Sequence, residues 1–228
     1  MITAEEKPLE QIAASLEGAR RVLVASCHGC VTVCGSGGIR EAKLLEKKLR
    51  LSDRQRGIER QYTVMEFERQ CDREFLEPAS GDIHEAEVVV STACGAGVQL
   101  LAEVALPVRV VPALNTTFLG ASTAAGVWEE RCAGCGDCLL DRTGGICPIA
   151  RCSKSLLNGP CGGSNQGRCE VDPDTPCAWQ LIYDRLKALD RIENMLEFVP
   201  PRDWSSAGHG GPRKLLHPDL FRDEVSND

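Results

Sequence analysis

The sequence predicts an α/β protein: an N-terminal Rossmann-like parallel sheet with helices, followed by a small cysteine-rich metal-stapled module and a C-terminal helix and tail. Two observations point there. Over the first half of the chain, short apolar runs alternate with amphipathic stretches, which is the pattern of βαβ units. From about residue 127 the texture changes, and glycine, proline and cysteine dominate 131–178. That stretch has little material for a conventional core, so it needs an external staple, and metal is the candidate. The divisions that follow are 1–126, 127–198 and 199–228.

Taken in order, residues 7–18 read as a helix and "RVLVAS" (21–26) as a short buried strand of the continuous apolar kind. "GGIREAKLLEKKLRL" (37–51) reads as a helix with Leu44, Leu45, Leu49 and Leu51 along one side and a basic opposite face. "YTVMEF" (62–67), "AEVVVSTA" (86–93) and "PVRVVPA" (107–113) read as strands, and "GVQLLAEVA" (97–105) as a helix. "AWQLIYDRLKALDRIENMLEF" (178–198) reads as one amphipathic helix, with Ile182, Leu186, Leu189, Ile192 and Leu196 on its apolar stripe. From "VPPRDW" onward the chain is rich in Pro and Gly, an extended tail that wraps the protein, reaches a partner or stays disordered.

Composition narrows the function. A net charge of −7 with pI near 5.3 argues against a nucleic-acid binder, which needs a basic face. No apolar run approaches the roughly 20 residues that span a bilayer. The N-terminus "MITAEEKPLE" is acidic and polar, unlike a secretory signal, so the expected location is cytoplasmic. Disulfides are uncommon in that reducing compartment, and 13 cysteines there point to metal or redox chemistry.

Eight cysteines lie in one segment: Cys132, Cys135, Cys138, Cys147, Cys152, Cys161, Cys169 and Cys177. The opening C-x2-C-x2-C is ferredoxin-like, because closely spaced thiolates on a tight turn can wrap one face of a cubane while a remote cysteine closes the fourth corner. Gly134 and Gly136 suit that turn. The bacterial pattern closes soon after with Cys-Pro, whereas here the gap to Cys147-Pro148 is eight residues, which leaves the fourth ligand open. Eight thiols suit two four-cysteine sites, read as 4Fe-4S clusters. Zinc is the alternative, although zinc ribbons use separated C-x2-C pairs. Thiol–disulfide or methyl-transfer chemistry is a third class; the x4, x8, x7 and x7 gaps favour ligands over a redox pair.

The other five are Cys27, Cys30, Cys34, Cys71 and Cys94. Cys27 and Cys94 each follow a predicted strand, and Cys71 comes shortly after another. Loops at the carboxyl ends of parallel strands share one edge, so three loops should deliver thiols to one place, with Cys30 or Cys34 as a fourth ligand of a third cluster. The alternative is that some are buried structural thiols. "CGSGGIRE" (34–41) and "CGAGVQ" (94–99) lie between strand and helix, but neither forms G-x-G-x-x-G or a P-loop, and tight turns beside a cluster explain their glycines as well. The four histidines sit apart, and no catalytic triad or paired carboxylate stands out. The chain reads as one that carries electrons for chemistry done elsewhere.

At "ALNTTFLG" (113–120), "GVWEERCAGCGDCLL" (126–140), "TGGICPIARCSKSLLNGPCGGSNQGRCEV" (143–171) and "CAWQLIYDRL" (177–186), the sequence resembles the small cysteine-rich subunit of two-subunit methylenetetrahydrofolate reductases, also described as the methylenetetrahydrofolate reductase C-terminal-like family. "CHGCVTVC", "RQCD" and "ACGAGVQLLAE" fit the same family. The resemblance implies a flavin-containing partner subunit that reduces methylene- to methyl-tetrahydrofolate, with further electron-donor subunits upstream. It implies that this chain is a non-catalytic iron–sulfur subunit, or alternatively a zinc-binding structural one. It implies Cys132, Cys135, Cys138, Cys147, Cys152, Cys161, Cys169 and Cys177 as the C-terminal ligands. Cys27, Cys30, Cys71 and Cys94 are the implied N-terminal set, with Cys34 in reserve.

Overall fold

Six consecutive buried residues, Val22 to Cys27, make the centre of the main sheet. The computed structural model describes residues 1–217 and divides at residue 130 into two units. In chain order the first holds β1 (Ile2–Glu6), α1 (Leu9–Ala14), β2 (Arg21–Cys27), α2 (Cys30–Val33), α3 (Ile39–Gln55), β3 (Gln61–Phe67), α4 (Ser80–His84), β4 (Val88–Ser91), α5 (Gly95–Val104), β5 (Arg109–Pro112), β6 (Leu114–Ala124) and β7 (Val127–Cys132). β3, β2, β4 and β5 form a four-stranded sheet in that order, with every adjacent pair parallel.

Parallel neighbours need crossover connections, which cover both faces of a sheet, and here each face has its own core. Val22 and Val24 of β2 pack with Val88 and Val90 of β4, Ile12 of α1 and Leu45 and Leu49 of α3. The alternate residues, Leu23, Ala25 and Val89, pack with Leu76, Ile83 and Leu101 of α5. This two-residue alternation is the ordinary pleat of a strand buried on both sides.

The parallel α/β sheet expected from the sequence is present, with corrections in detail. The helix read at 7–18 is limited to Leu9–Ala14, and turns follow as far as Gly18, where φ is 81°. In α3 the buried residues are Ala42, Leu45, Leu49 and Asp53, whereas Leu44 and Leu51 are exposed. The inward face follows the 3.6-residue period, which Leu44 and Leu51 break. A second sheet, in the order β1-β6-β7, has no counterpart in the sequence reading. β1 and β6 run antiparallel, pairing Ala4 with Thr116 and Glu6 with Leu114. Only Leu114 of β6 is buried, so the strand carries no apolar alternation to reveal it.

At the amino-terminal edge of the main sheet, α3 ends on a buried polar network. Asp53 pairs with Arg60, and the Tyr62 hydroxyl donates to Asp53 Oδ2 at 2.7 Å. Arg60 also donates to the carbonyls of Ala19 and Leu16, both at 2.9 Å. One guanidinium thus ties the segment after α1 to α3 and β3. Burial, and next the Asp53 carboxylate, raise the Tyr62 pKa well above its ordinary value.

The second unit has α6 (Pro148–Arg151) and α7 (Ala178–Ala188) around a small core of Ile146, Trp179, Ile182 and Leu186. The single helix read at 178–198 ends instead at Ala188. Asp190 adopts a left-handed conformation at φ 55°. Its N–H donates to Lys187 O at 3.2 Å, and that of Arg191 to Leu186 O at 2.9 Å, which is a Schellman stop. A 3-10 turn, Ile192–Leu196, follows. Ile182 and Leu186 are buried as expected, but Leu189, Ile192 and Leu196 are exposed.

The tail to residue 217 is not simply extended. Val199 is held both ways by Asn158, whose Oδ1 accepts from its N–H at 2.7 Å and whose Nδ2 donates to its carbonyl at 2.9 Å. Two 3-10 turns follow, Trp204–Ser206 and Gly208–Gly210. Residues 218–228 of the expected tail lie outside the described residues.

Removing Arg60 strands a buried carboxylate, so Arg60→Ala is expected to cost about 3–5 kcal/mol in denaturant unfolding. Because folding raises the Tyr62 pKa, its contribution is intact below the unfolded value of 10.0 and is lost as pH climbs towards the folded one. Tyr62→Phe should therefore flatten the alkaline fall in stability, and an unchanged pH profile would contradict this assignment.

Candidate metal centres

β2 and β4 are adjacent, but β3 and β5 leave on opposite sides, so the strand order reverses between them. Ligands in open α/β sheets sit outside the carboxyl ends at such a switch point. Cys27 ends β2, Cys30 begins α2, and Cys94 lies at the N-cap of α5. Cys71 follows β3 and is exposed as a residue. Its sulfur is nevertheless shielded enough that desolvation raises its pKa, and the Cys94, Cys27 and Cys30 thiols raise it further. Cys27 and Cys94 are buried in one cluster with Val31 and Ala93. Cys34 is engaged elsewhere, with its Sγ 3.1 Å from Ser36 Oγ.

A buried polar network, which the sequence reading missed, holds these loops. Gln70 is fully buried and donates to the carbonyls of Ala25 at 2.9 Å and Ser26 at 3.0 Å. Its Oε1 accepts from the Ser91 hydroxyl at 2.6 Å. Thr92 donates to Gly37 O at 2.6 Å, and Thr32 to Cys27 O at 2.7 Å. The residue before Cys71 and the residues before Cys94 are thus fastened to the end of β2. Two glycines allow the close approach: a Cβ at Gly37 would lie 1.9 Å from Thr92 O, and one at Gly97 would lie 2.9 Å from Gln70 Cβ. Packing explains these glycines without a phosphate. His28 Nδ1 lies 3.1 Å from Glu66 Oε1 on the exposed surface.

In the second unit, Cys152, Cys161, Cys169 and Cys177 line one small cavity together with Trp179 and Lys154. The chain reaches this arrangement through a tight turn. Cys169 N–H donates to Thr175 O at 2.9 Å, Cys177 N–H donates to Gly167 O at 2.8 Å, and Asp172 caps the turn between them. Trp179 closes one wall and donates to Leu156 O at 3.1 Å. Ser153 Oγ lies 3.4 Å from Cys169 Sγ. That hydroxyl, followed by the Val171 and Asp172 amides, holds the Cys169 pKa below the ordinary thiol value.

Cys132 ends β7, Cys135 and Cys138 lie in the loop that follows, and Cys147 is the N-cap of α6. Gly134 and Gly136 take φ values of 61° and 83°, the left-handed turn that the motif predicts. Gly134 N–H donates to Cys132 Sγ at 3.4 Å, and Gly163 N–H repeats this at Cys161 Sγ, also at 3.4 Å. The tail crosses this loop: Ser206 Oγ donates to Cys135 O, and Arg213 donates to Gly134 O, each at 3.0 Å.

None of the 13 cysteines forms a disulfide. Among the described residues no three His, Cys, Asp or Glu side chains are drawn together as for a single ion. Ligand thiolates around a cubane stand further apart than those around one ion. The residues fit thiolate-held centres in two respects. The cavity donors are sulfurs with amide N–H groups directed at Cys161 and Cys169, and the buried Arg202 beside Cys135 has Nε and Nη1 without acceptors among the described residues. A cavity of about 890 Å³ opens at the opposite edge of the sheet, beside Arg60 and Tyr62. Of its five arginines, Arg21, Arg50 and Arg60 are paired with Glu87, Glu46 and Asp53.

With this geometry in hand, one comparison is informative. Residues 111–205 match the family model described as methylene-tetrahydrofolate reductase C terminal. The match covers less than half of the chain and contains all eight cysteines from Cys132 to Cys177, while the five N-terminal cysteines lie outside it. Searches of the curated proteins and of the solved structures return no match. Among the described residues no helix is long and apolar enough to cross a membrane.

Gln70→Ala would leave the Ser91 hydroxyl and two buried carbonyls short of partners. It should lower stability by about 1–3 kcal/mol in denaturant unfolding. A neutral result would show that the loops carrying Cys71 and Cys94 are held by something else.

Proposed function

We propose that this chain is an iron–sulfur electron-transfer subunit that delivers electrons to the flavin of a partner subunit, which reduces methylenetetrahydrofolate to methyltetrahydrofolate. The observation that most supports this reading is the convergence of Cys152, Cys161, Cys169 and Cys177 on one cavity within the reductase-like stretch. In this reading Cys132, Cys135, Cys138 and Cys147 hold a second centre, and Cys27, Cys30, Cys71 and Cys94 a third at the switch point. A 4Fe-4S cluster, when bound, supplies one-electron transfer at a potential set by its surroundings.

The chain's own residues account for the rest. Thiolates hold each centre, and the Gly134 and Gly163 amides direct N–H groups at ligand sulfurs, a contact that tunes metal sites. Helix α7 begins at Cys177 and α5 at Cys94, so the positive end of each helix dipole favours the negative charge of a thiolate centre. The acidic chain suits a protein partner rather than nucleic acid. A reducing cytoplasm suits 13 free thiols, with a donor subunit upstream.

A second reading draws on the small size of the Cys152 cavity. There, zinc staples the second unit beside the same reductase, without redox activity.

Cys169→Ala and Cys132→Ala should each remove about four iron and four sulfide per chain, the content of one 4Fe-4S centre. Each should also slow reduction of the partner's flavin in an anaerobic mixing experiment. Full metal content with normal flavin reduction in both variants would overturn the assignment of these ligands.

A further inference from the structure

We infer that Arg202, in the segment after α7, is an electrostatic positioning residue for the Cys132–Cys135–Cys138 centre, holding a positive charge at the Cys135 sulfur and favouring the reduced state. This rests on the iron–sulfur reading above. The side chain of Arg202 is only 4% exposed. Its Nη2 donates to Cys135 Sγ at 3.2 Å and also to the Asp137 carbonyl. Its guanidinium lies 5.3 Å from the centre of the Trp204 ring. The remaining nitrogens, Nε and Nη1, are buried and meet no acceptor among the described residues.

A buried guanidinium with unused donors is uncommon, because unsatisfied buried polar groups are costly. The nearby carboxylate does not remove the anomaly. Asp137 Oδ2 is 3.6 Å away, and that side chain is 67% exposed, so water screens its charge. Among the described residues the only ion pair of this guanidinium is with that screened carboxylate, and a thiolate-held iron–sulfur centre at Cys135 would add negative charge and sulfur acceptors.

The backbone around Arg202 is built to hold it there. Asn158 clamps Val199 through two hydrogen bonds, and Pro200 and Pro201 stiffen the approach. Beyond it, Ser206 and Arg213 bind the carbonyls of Cys135 and Gly134. The contact depends on Gly136, where a Cβ would lie 2.3 Å from Ser206 O. Reduction adds one electron to a centre, and a fixed positive charge in a dry site lowers the energy of that added charge. Arg202 therefore raises the midpoint potential of this centre above what the thiolates alone would give.

The test is a redox titration followed by electron paramagnetic resonance on the anaerobically purified full chain, with iron and sulfide counted on the same samples. Arg202→Gln should keep its clusters while one midpoint falls by about 59 mV or more, tenfold in the oxidised-to-reduced ratio for one electron. Arg202→Lys, which keeps the charge, should restore most of that shift. Intact clusters with unmoved potentials in Arg202→Gln would overturn the inference and leave the electron-transfer reading standing. If Arg202→Gln does not hold iron, wild-type protein labelled with 15N-arginine decides. Pulsed resonance should then find an arginine nitrogen coupled to one reduced centre, and its absence would overturn the inference. Wild-type protein without iron would instead remove the parent reading.

Discussion

β2 has a parallel neighbour on each side, and neither can be reached by a hairpin. The chain must leave the carboxyl edge, cross a face and return, so every departure loop of the four-stranded sheet starts from the same edge. Cys27, Cys71 and Cys94 stand on three such loops. Their placement follows from the direction of the strands, but their spacing needs more. Gln70, Ser91 and Thr92 provide it by directing their polar groups to the end of β2, to Gln70 and to the Gly37 carbonyl instead of to water. A buried network of this kind fixes geometry strongly because leaving any member unpaired is costly.

The second unit solves a different problem. Four large buried side chains are a thin core for a segment so rich in turns, and chains of that kind need staples. The hydrogen bonds of 165–177 bring Cys169 and Cys177 to the cavity shared with Cys152 and Cys161. The tail fastens the Cys132–Cys138 loop in the same manner, with backbone carbonyls of the loop accepting from Ser206 and Arg213. In both places polar side chains and amides, more than a hydrophobic core, fix where the thiols stand.

The strands with continuous apolar burial, β2 and β4, were legible in the sequence because both faces of the sheet are covered and nothing else explains such runs. The cysteines were legible as groups for the same reason that the sheet was, since loop position follows from strand direction. β6 was not legible: its side chains are largely exposed and its pairing with β1 joins residues more than a hundred positions apart. The break after α7 was hidden because the apolar spacing continues through Leu189 and Ile192, while Asp190 turns the backbone without a glycine or proline to announce it. Gln70 and Arg202 were missed although "RQCD" and "VPPRDW" were singled out, because each is a lone polar residue whose partners lie 45 and 67 residues away. Only tertiary structure reveals such pairings.

The central claim is that these thiols hold iron–sulfur centres and not zinc. The most direct measurement is iron, acid-labile sulfide and zinc per chain, with a visible spectrum, on protein purified without oxygen. Iron–sulfur centres would give a brown protein with iron and sulfide in equal amounts, in multiples of about four. A colourless protein carrying zinc and no iron would contradict it, and would make the chain a structural partner through which no electrons pass.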